Sequence, residues 1–556
     1  MTAISSILST PLGQTRSAPV NPLRATALAL QRAAPSSFVT VSKQGAAAAR
    51  QATPLPPAVA ADPGKPADVG ALVASNFNAP SLAGKFGGLG VALLGQFKGE
   101  GAVAAVSASM QAAPPVREDG LYGPAAPGAA AVAAAAGAAG VGESQVSLTV
   151  TTAGGVKVSL SLESREGALA VRMSSSAEGE DELSSNERAA LAGLADAFQQ
   201  AIDGMAEEPP KLRLEGLTRF DTSALASVDL RASVQLRSEP GKAQTVDFHA
   251  DAAQRKVSLG GPSGAATVTV DTSKPESLGS GEQQAKALGS YLKQVDQAVS
   301  RGHGDPVLAA LFKDAFTGMH GNATAPDAPS AGLDGPASGA GYAQFGKVQL
   351  SAGDHAALTG LADFSATMTQ SPEALNPMRP GETDNFAYQV SQDTAIGGRT
   401  QGERSISQQQ KSELKASYHT PLVPGAALML DSDPKSQNYN YHQIDDSASS
   451  QLDLAYREGR MVRASLNQSA TQSARVRQYA MGTLVSDITT PGQKTLQRDL
   501  LAALAPYRSG EHARTEEQRS AQREQVLLGL SDQVLLQAYP EPVSGAWGDA
   551  AVDSLA

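Results

Sequence analysis

Large apolar residues recur at every second position over much of this chain, in runs separated by turns that carry glycine or proline. That period predicts half-buried β-strands. The most regular stretch is Gln437–Asp487, read as one long β-hairpin. Leu452, Leu454 and Tyr456 point one way on the outgoing arm, the chain turns at Arg457-Glu458-Gly459-Arg460, and Val462, Ala464 and Leu466 share one face of the return.

Nearer the N-terminus the same period predicts a three-strand antiparallel meander. Val146, Leu148 and Val150 alternate before Gly154-Gly155, Val156, Val158, Leu160 and Leu162 before Arg165-Glu166-Gly167, and Leu169, Val171 and Met173 after it. Ser184 and Glu187 then form a capping-box pattern, and Leu191, Leu194, Phe198 and Ile202 make one helical stripe suited to covering a face of that meander. Strands resume at Val228–Leu236, Val246–Ala250, Lys256–Leu259 and Ala266–Asp271. Two helical stripes follow, Leu288/Tyr291/Val295/Val299 and Leu308/Leu311/Phe312/Phe316.

The expected fold class is therefore α+β, in two units. A low-complexity, mostly disordered leader occupies 1–142, an α+β domain 143–322, a Pro/Gly/Ala/Ser linker 323–342, and a second unit 343–540. In the second unit Phe386, Tyr388 and Val390 alternate on one strand, and Glu403–His419 is its expected partner. The long hairpin follows, and Pro491-Gly492 is expected to end the sheet. C-terminal helices are expected from Leu496/Leu500/Leu504 and Val526/Leu527/Leu530/Val534, with a flexible tail over 541–556. A short likeness between Asn385-Phe-x-Tyr388 and Asn438-Tyr-x-Tyr441 reads equally as a repeat or as chance.

Composition narrows the function classes. The 556 residues carry a net charge of −11 and show no Lys/Arg cluster, which argues against nucleic acid, whose phosphates need a basic stripe. The chain has no cysteine, so disulfides, thiolate nucleophiles and Cys-ligated metals are excluded. No apolar run approaches the roughly 20 residues of a membrane helix, and the expectation is a soluble chain with no transmembrane segment. Aromatic residues are only 4%, so cores are expected to be thin.

Arg16, Arg24, Arg32, Lys43 and Arg50 all precede the first acidic residue, Asp62, while Met1–Leu12 lacks the features of a cleaved signal. This leader fits a neutral tail, an uncleaved bacterial export signal or an organellar transit peptide. Pro22–Ala33 has the pattern of a short amphipathic helix. Localisation is accordingly cytoplasmic or secreted by a non-classical route.

Candidate chemistry is sparse. His249-Ala-Asp251 places both side chains on one strand face, and His303-Gly-Asp305 sits in a loop; either pair reads first as surface polarity or capping. Gly261-Pro262-Ser263-Gly264 reads as a turn, and Ser432-Asp433-Pro434-Lys435 meets the S-x-x-K spacing without the helix it needs. Gly87-Gly88-Leu89-Gly90 lacks a phosphate-loop frame, and Asp431, Asp433, Asp445 and Asp446 lack a calcium-loop frame. No cofactor or metal is implied.

Long strands rich in Ser, Gln and Asn suggest a solvated or partner-facing sheet. The reading is a bacterial, non-enzymatic interaction or structural protein, with a protein partner and with Tyr388, Tyr439, Tyr441 and Trp547 as its expected interaction surface. The alternative is a hydrolase built from dispersed Asp, His and Ser groups, which would require a cleft gathering a histidine with two carboxylates.

Overall fold

A computed structural model describes residues 68–99, 105–111, 143–176, 183–321, 348–501 and 533–540. Its centre is one antiparallel sheet of 14 strands. In chain order these are β1 (Ala105–Gln111), β2 (Ser144–Thr152), β3 (Lys157–Arg165), β4 (Ala168–Ser175), β5 (Leu225–Gln235), β6 (Ala243–Asp251) and β7 (Gln254–Gly261). They continue as β8 (Gly264–Asp271), β9 (Asp363–Gln370), β10 (Asn385–Gly397), β11 (Ser405–Pro421), β12 (Tyr439–Arg457), β13 (Arg460–Ala480) and β14 (Thr483–Asp499). The spatial order is β1-β4-β3-β2-β5 and then every strand in sequence to β14.

The alternation chooses the buried side. Leu148 lies opposite Leu160 and Leu230, and Val150 opposite Val158 and Val228, all fully buried, while the residues between them are Thr149, Ser159 and Asp229. A one-residue slip would exchange the two sets, so this pattern fixes the register.

Helices cover the apolar side. They are α1 (Val69–Asn76), α2 (Leu82–Phe86), α3 (Leu89–Leu94), α4 (Ser185–Gly193), α5 (Ala195–Met205), α6 (Gly281–Gly302), α7 (Pro306–His320) and the short α8 (Ala352–Ala356). The capping box forms as expected: Ser184 Oγ accepts from Glu187 N–H at 3.2 Å, and Glu187 accepts from Ser184 N–H at 2.9 Å. Glu187 also takes the Gly154 N–H at 2.9 Å, tying the β2–β3 turn to the helix. Burial opposes its ionisation, but hydrogen bonds from Thr152, Ser184 and Gly154 outweigh that and hold its pKa at about 2. The expected single stripe is split, because Leu194 ends α4 and precedes α5. At the other end of the helical layer α6 comes so close to β10 that a Cβ on Gly302 would stand 2.8 Å from the Phe386 ring.

Several expectations are corrected. Residues 69–98, placed in the non-folding leader, form α1–α3 and a short 3₁₀ turn, with Phe86, Leu89, Leu93 and Leu94 fully buried. Burial of each such side chain contributes about 1.5–3 kcal/mol, enough to order a glycine-broken segment that is weak by propensity. Gly90 permits this contact, since a Cβ there would meet Phe198 at 3.0 Å. β1, also in the expected leader, pairs with β4.

The expected linker does not divide the sheet. β8 pairs with β9 from Gly264↔Gln370 to Asp271↔Asp363, so the two expected units share one sheet, and Gly64–Ala556 forms a single compact unit. Pro491 does not end the sheet either: β14 runs through it, with Pro491 opposite Ser473. An edge strand tolerates a residue that lacks the N–H. Leu496, expected to start a helix, is in that strand, and Val534, expected at the end of a second helix, lies in a bend. The hairpin itself is present, its return arm ending at Ala480 and 483–487 belonging to β14. The leader up to residue 67, the 323–342 linker, Val526–Leu530 and the 541–556 tail with Trp547 lie outside the described residues. No helix among those described is long and apolar enough to cross a membrane.

Candidate interaction surface

The buried side of the sheet changes over within β12. Ile444, Ala448, Leu452 and Leu454 face the helices, whereas Tyr439 and Tyr441 are buried at odd positions. The register with β13 is the same on both sides of Asp445-Asp446, from Tyr439↔Tyr479 and Ile444↔Ala474 to Ser447↔Thr471. Without a bulge, parity alone places the two tyrosines on the opposite face. Ser417 and His419 of β11 and Tyr479 of β13 join them there.

That patch is covered by the segment between β9 and β10, which carries Asn376, Arg379, Glu382 and Asp384. Glu382 is the centre of it. It accepts from Tyr439 OH at 2.7 Å and Tyr479 OH at 2.9 Å, and Arg477 Nη1 stands 3.3 Å away. His419 Nδ1 lies 2.5 Å from Asp384 Oδ1, and its Nε2 is 3.7 Å from Glu382 without a hydrogen bond. Asn376 donates to Gln437 Oε1 at 2.8 Å and to the Tyr439 oxygen at 3.0 Å. Burial, and then the Glu382 carboxylate, push the Tyr439 and Tyr479 hydroxyls above their usual pKa, so both stay protonated donors. Arg379 lies over the Tyr479 ring at 4.3 Å and donates to Gly482 O at 2.9 Å. The cluster therefore clasps three loops together: 371–384, 422–438 and the β13–β14 turn.

Outside the clasp, those loops and the start of β14 expose large apolar side chains. Met378, Val423, Met429, Met481, Leu484, Val485 and Ile488 are seven of the eleven such residues among those described, with Met429 78% and Ile488 60% exposed. Leu428 and Leu430, alternating with Met429, pack on Tyr439, Tyr441 and Tyr479, so the exposed methionine rides on an anchored loop. Three of the seven are methionines, which adapt to irregular partner surfaces. Around them stand charges of both signs, including Asp431, Asp433, Lys435 and the Arg475–Asp487 pair at 2.6 Å.

β14 pairs on one side, with β13, among the described residues. Its other edge is blunted. Gln478↔Ser486 and Tyr479↔Leu484 leave Val485 as an extra residue in a bulge, and Pro491 and Lys494 follow. These features discourage strand addition, so side chains rather than free backbone form the accessible feature of this edge.

The residues singled out from sequence take the following places. Tyr439 and Tyr441 come together in the clasp but are 0% and 3% exposed. Tyr388 is buried on the opposite, helix-facing side, where burial pushes its hydroxyl pKa up. None of these three rings meets solvent, and Trp547 lies outside the described residues. His249 stands between Asp229 and Asp251, at 2.7 and 3.0 Å. His303 ends α6 in the left-handed region and stacks on Tyr418, while Asp305 caps α7 through Leu308 N–H.

Gly261–Gly264 is the β7–β8 turn, and Ser432–Lys435 is a turn held by Asp433. Asp431 likewise closes a turn, but Asp446 forms an ion pair with Arg301. No cluster able to hold a metal occurs among the described residues. The polar strand residues expected to be solvated include several that are buried and hydrogen-bonded: Gln392, Gln408, Gln410, Ser450 and Gln468.

Sequence reasoning missed Glu382, Asp384 and His419 as a group, together with the exposed apolar residues around them. The 371–384 segment has no period, so nothing local assigns its acids to a partner across the sheet. The available signal was the parity change in β12, from Tyr439 and Tyr441 to Ile444. No protein-family model, curated protein or solved structure matches this chain.

Proposed function

We propose that this chain is a non-enzymatic interaction protein that docks a protein partner on the apolar end formed by Met378, Val423, Met429, Met481, Leu484, Val485 and Ile488. The observation that carries the reading is the collection of these exposed side chains at one end of a sheet whose other apolar residues are largely covered. By register Leu484, opposite Tyr479, stands on the clasp face and Ile488, opposite Val476, on the other, so the exposed side chains wrap this end of the sheet. Exposed apolar side chains gathered in this way are one mark of a protein interaction site. The mixed charges of the rim favour a protein over an anionic lipid surface, which would call for an excess of Lys and Arg.

For the hydrolase alternative, a histidine with two carboxylates occurs twice among the described residues. His249 with Asp229 and Asp251 is part-exposed on the polar face of β5 and β6, and lines neither the cavity at Arg301 and Asp446 nor the one at Arg255 and Lys274. The second group is His419 with Glu382 and Asp384, where the His419 side chain is 0% and Glu382 7% exposed. The segment between β9 and β10 closes over this second group through Glu382, Thr383 and Asp384, so it reads better as the clasp that supports the apolar end. The test is purification from the producing cells. Wild-type chain should retain a discrete partner, and a Leu484→Ser/Ile488→Ser variant should lose it while staying folded. Equal retention by both would refute the reading.

A further inference from the structure

Residues 533–540 cross the helix-facing side of β11, β12 and β13 and are held largely through their backbone. Gln410 Nε2 donates to Val534 O at 2.7 Å, and its Oε1 accepts from Leu536 N–H at 2.9 Å. This side-chain amide serves residues 534 and 536 as the peptide group of a neighbouring strand would. Tyr291 OH donates to the same Oε1 at 2.9 Å and fixes the amide's orientation.

Ser450 Oγ donates to Val534 O at 2.8 Å, and Gln468 Nε2 to Gln533 O at 2.6 Å and Leu535 O at 3.3 Å. Gln294, from α6, donates to Leu536 O at 3.0 Å, and Arg498 to Gln533 Oε1 at 3.3 Å. Val534 and Leu536 are each 1% exposed, so apolar burial adds to the backbone contacts. The polar residues of β11–β13 thus build a groove that holds this segment through a turn at Gln533 and bends at Val534 and Leu535.

The four residues held this way, Gln533-Val534-Leu535-Leu536, occur a second time in the chain as Gln525-Val526-Leu527-Leu528. Contacts made to backbone atoms and to Val and Leu side chains cannot tell the two copies apart. We propose that residues 525–528 are an alternative occupant of this groove, so that the tail docks in either of two registers eight residues apart. Leu500 and Val534 belong to one apolar cluster, so both ends of the intervening stretch are fixed to the same core. Shortening a loop of that length by eight residues changes its closure entropy little.

The preference between registers then rests on what lies beyond the repeat. In the register seen here Ala538 and Tyr539 line a small cavity with Arg301 and Asp446. The other register would withdraw both and open that cavity.

A double-mutant cycle on the full-length chain tests this. Val526→Asp alone should leave the melting midpoint unchanged. Val534→Asp should lower it by about 2 °C, because 525–528 takes the groove, and the double variant should lower it by about 6 °C or more. Additive losses would overturn the proposal. So would a Val534→Asp chain that fails to fold, because the second copy would then have failed to replace the first.

Discussion

Tyr439 donates its hydroxyl to Glu382 at 2.7 Å across 57 positions of sequence, and it can do so because β12 exchanges its buried side only a few residues later. The same carboxylate takes the Tyr479 hydroxyl and faces Arg477. Glu382 should therefore dominate the stability of this end of the sheet. Glu382→Ala leaves two buried hydroxyls and the part-exposed Arg477 guanidinium without their acceptor and should cost about 2–4 kcal/mol, whereas Tyr439→Phe removes one hydrogen bond and should cost about 1 kcal/mol. Urea unfolding measures both. Similar small losses from the two variants would mean that the clasp is not centred on Glu382.

His320 gives the fold a dependence on acid. It is fully buried on α7, with Nδ1 2.8 Å from Phe316 O and Nε2 without a partner. Burial is the largest effect and lowers its pKa from 6.5 to about 4. The unfolded chain then binds the proton more readily, so stability is lost as pH falls from about 6.5 to about 4, by roughly 3 kcal/mol in all. His320→Phe should flatten that part of a stability–pH profile. An unchanged slope in the variant would assign it to other groups.

His249 should act with the opposite sign. Partial burial lowers its pKa, but the carboxylates of Asp229 and Asp251 outweigh that and raise it above 6.5. Its contribution is complete below that value and disappears as pH rises through the raised pKa. The site is partly exposed, so the effect should be small and should shrink with salt. Titration of the imidazole by NMR in wild type and in Asp229→Asn checks it: the pKa should fall in the variant.

The exposed apolar residues should contribute little to folding. Met429→Ser and Ile488→Ser should each change stability by no more than about 0.5 kcal/mol, in contrast to Leu428→Ala or Leu430→Ala, which pack on the tyrosines. A large loss from Ile488→Ser would show that the residue belongs to the fold rather than to a partner surface.

Much of the architecture was legible because its determinants are local. Alternation at Val146–Val150 and Val158–Leu162, the Ser184–Glu187 box and the Glu458-Gly459 turn all act within a few residues. What was not legible depended on distant partners. Leu89, Leu93 and Leu94 sit among glycines, and only contact with α5 and the sheet orders them. Pro491 reads as a strand terminator unless β14 is known to be an edge. Gln410 and Gln468 look like solvent-facing strand residues until the 533–540 segment supplies the carbonyls they bind. The site was less visible still, since Glu382 and Asp384 lie in a stretch with no period and meet His419 only after β10 and β11 pair.

The most direct test of the apolar end as a docking surface is photo-crosslinking in the producing cells. A benzoylphenylalanine would replace Ile488, and in a control chain Lys256, which is exposed on β7, seven strands away from β14. A discrete crosslinked protein is expected from position 488, absent from position 256 and lost when Leu484→Ser and Met429→Ser are added. No crosslink from 488, or the same products from both positions, would contradict it.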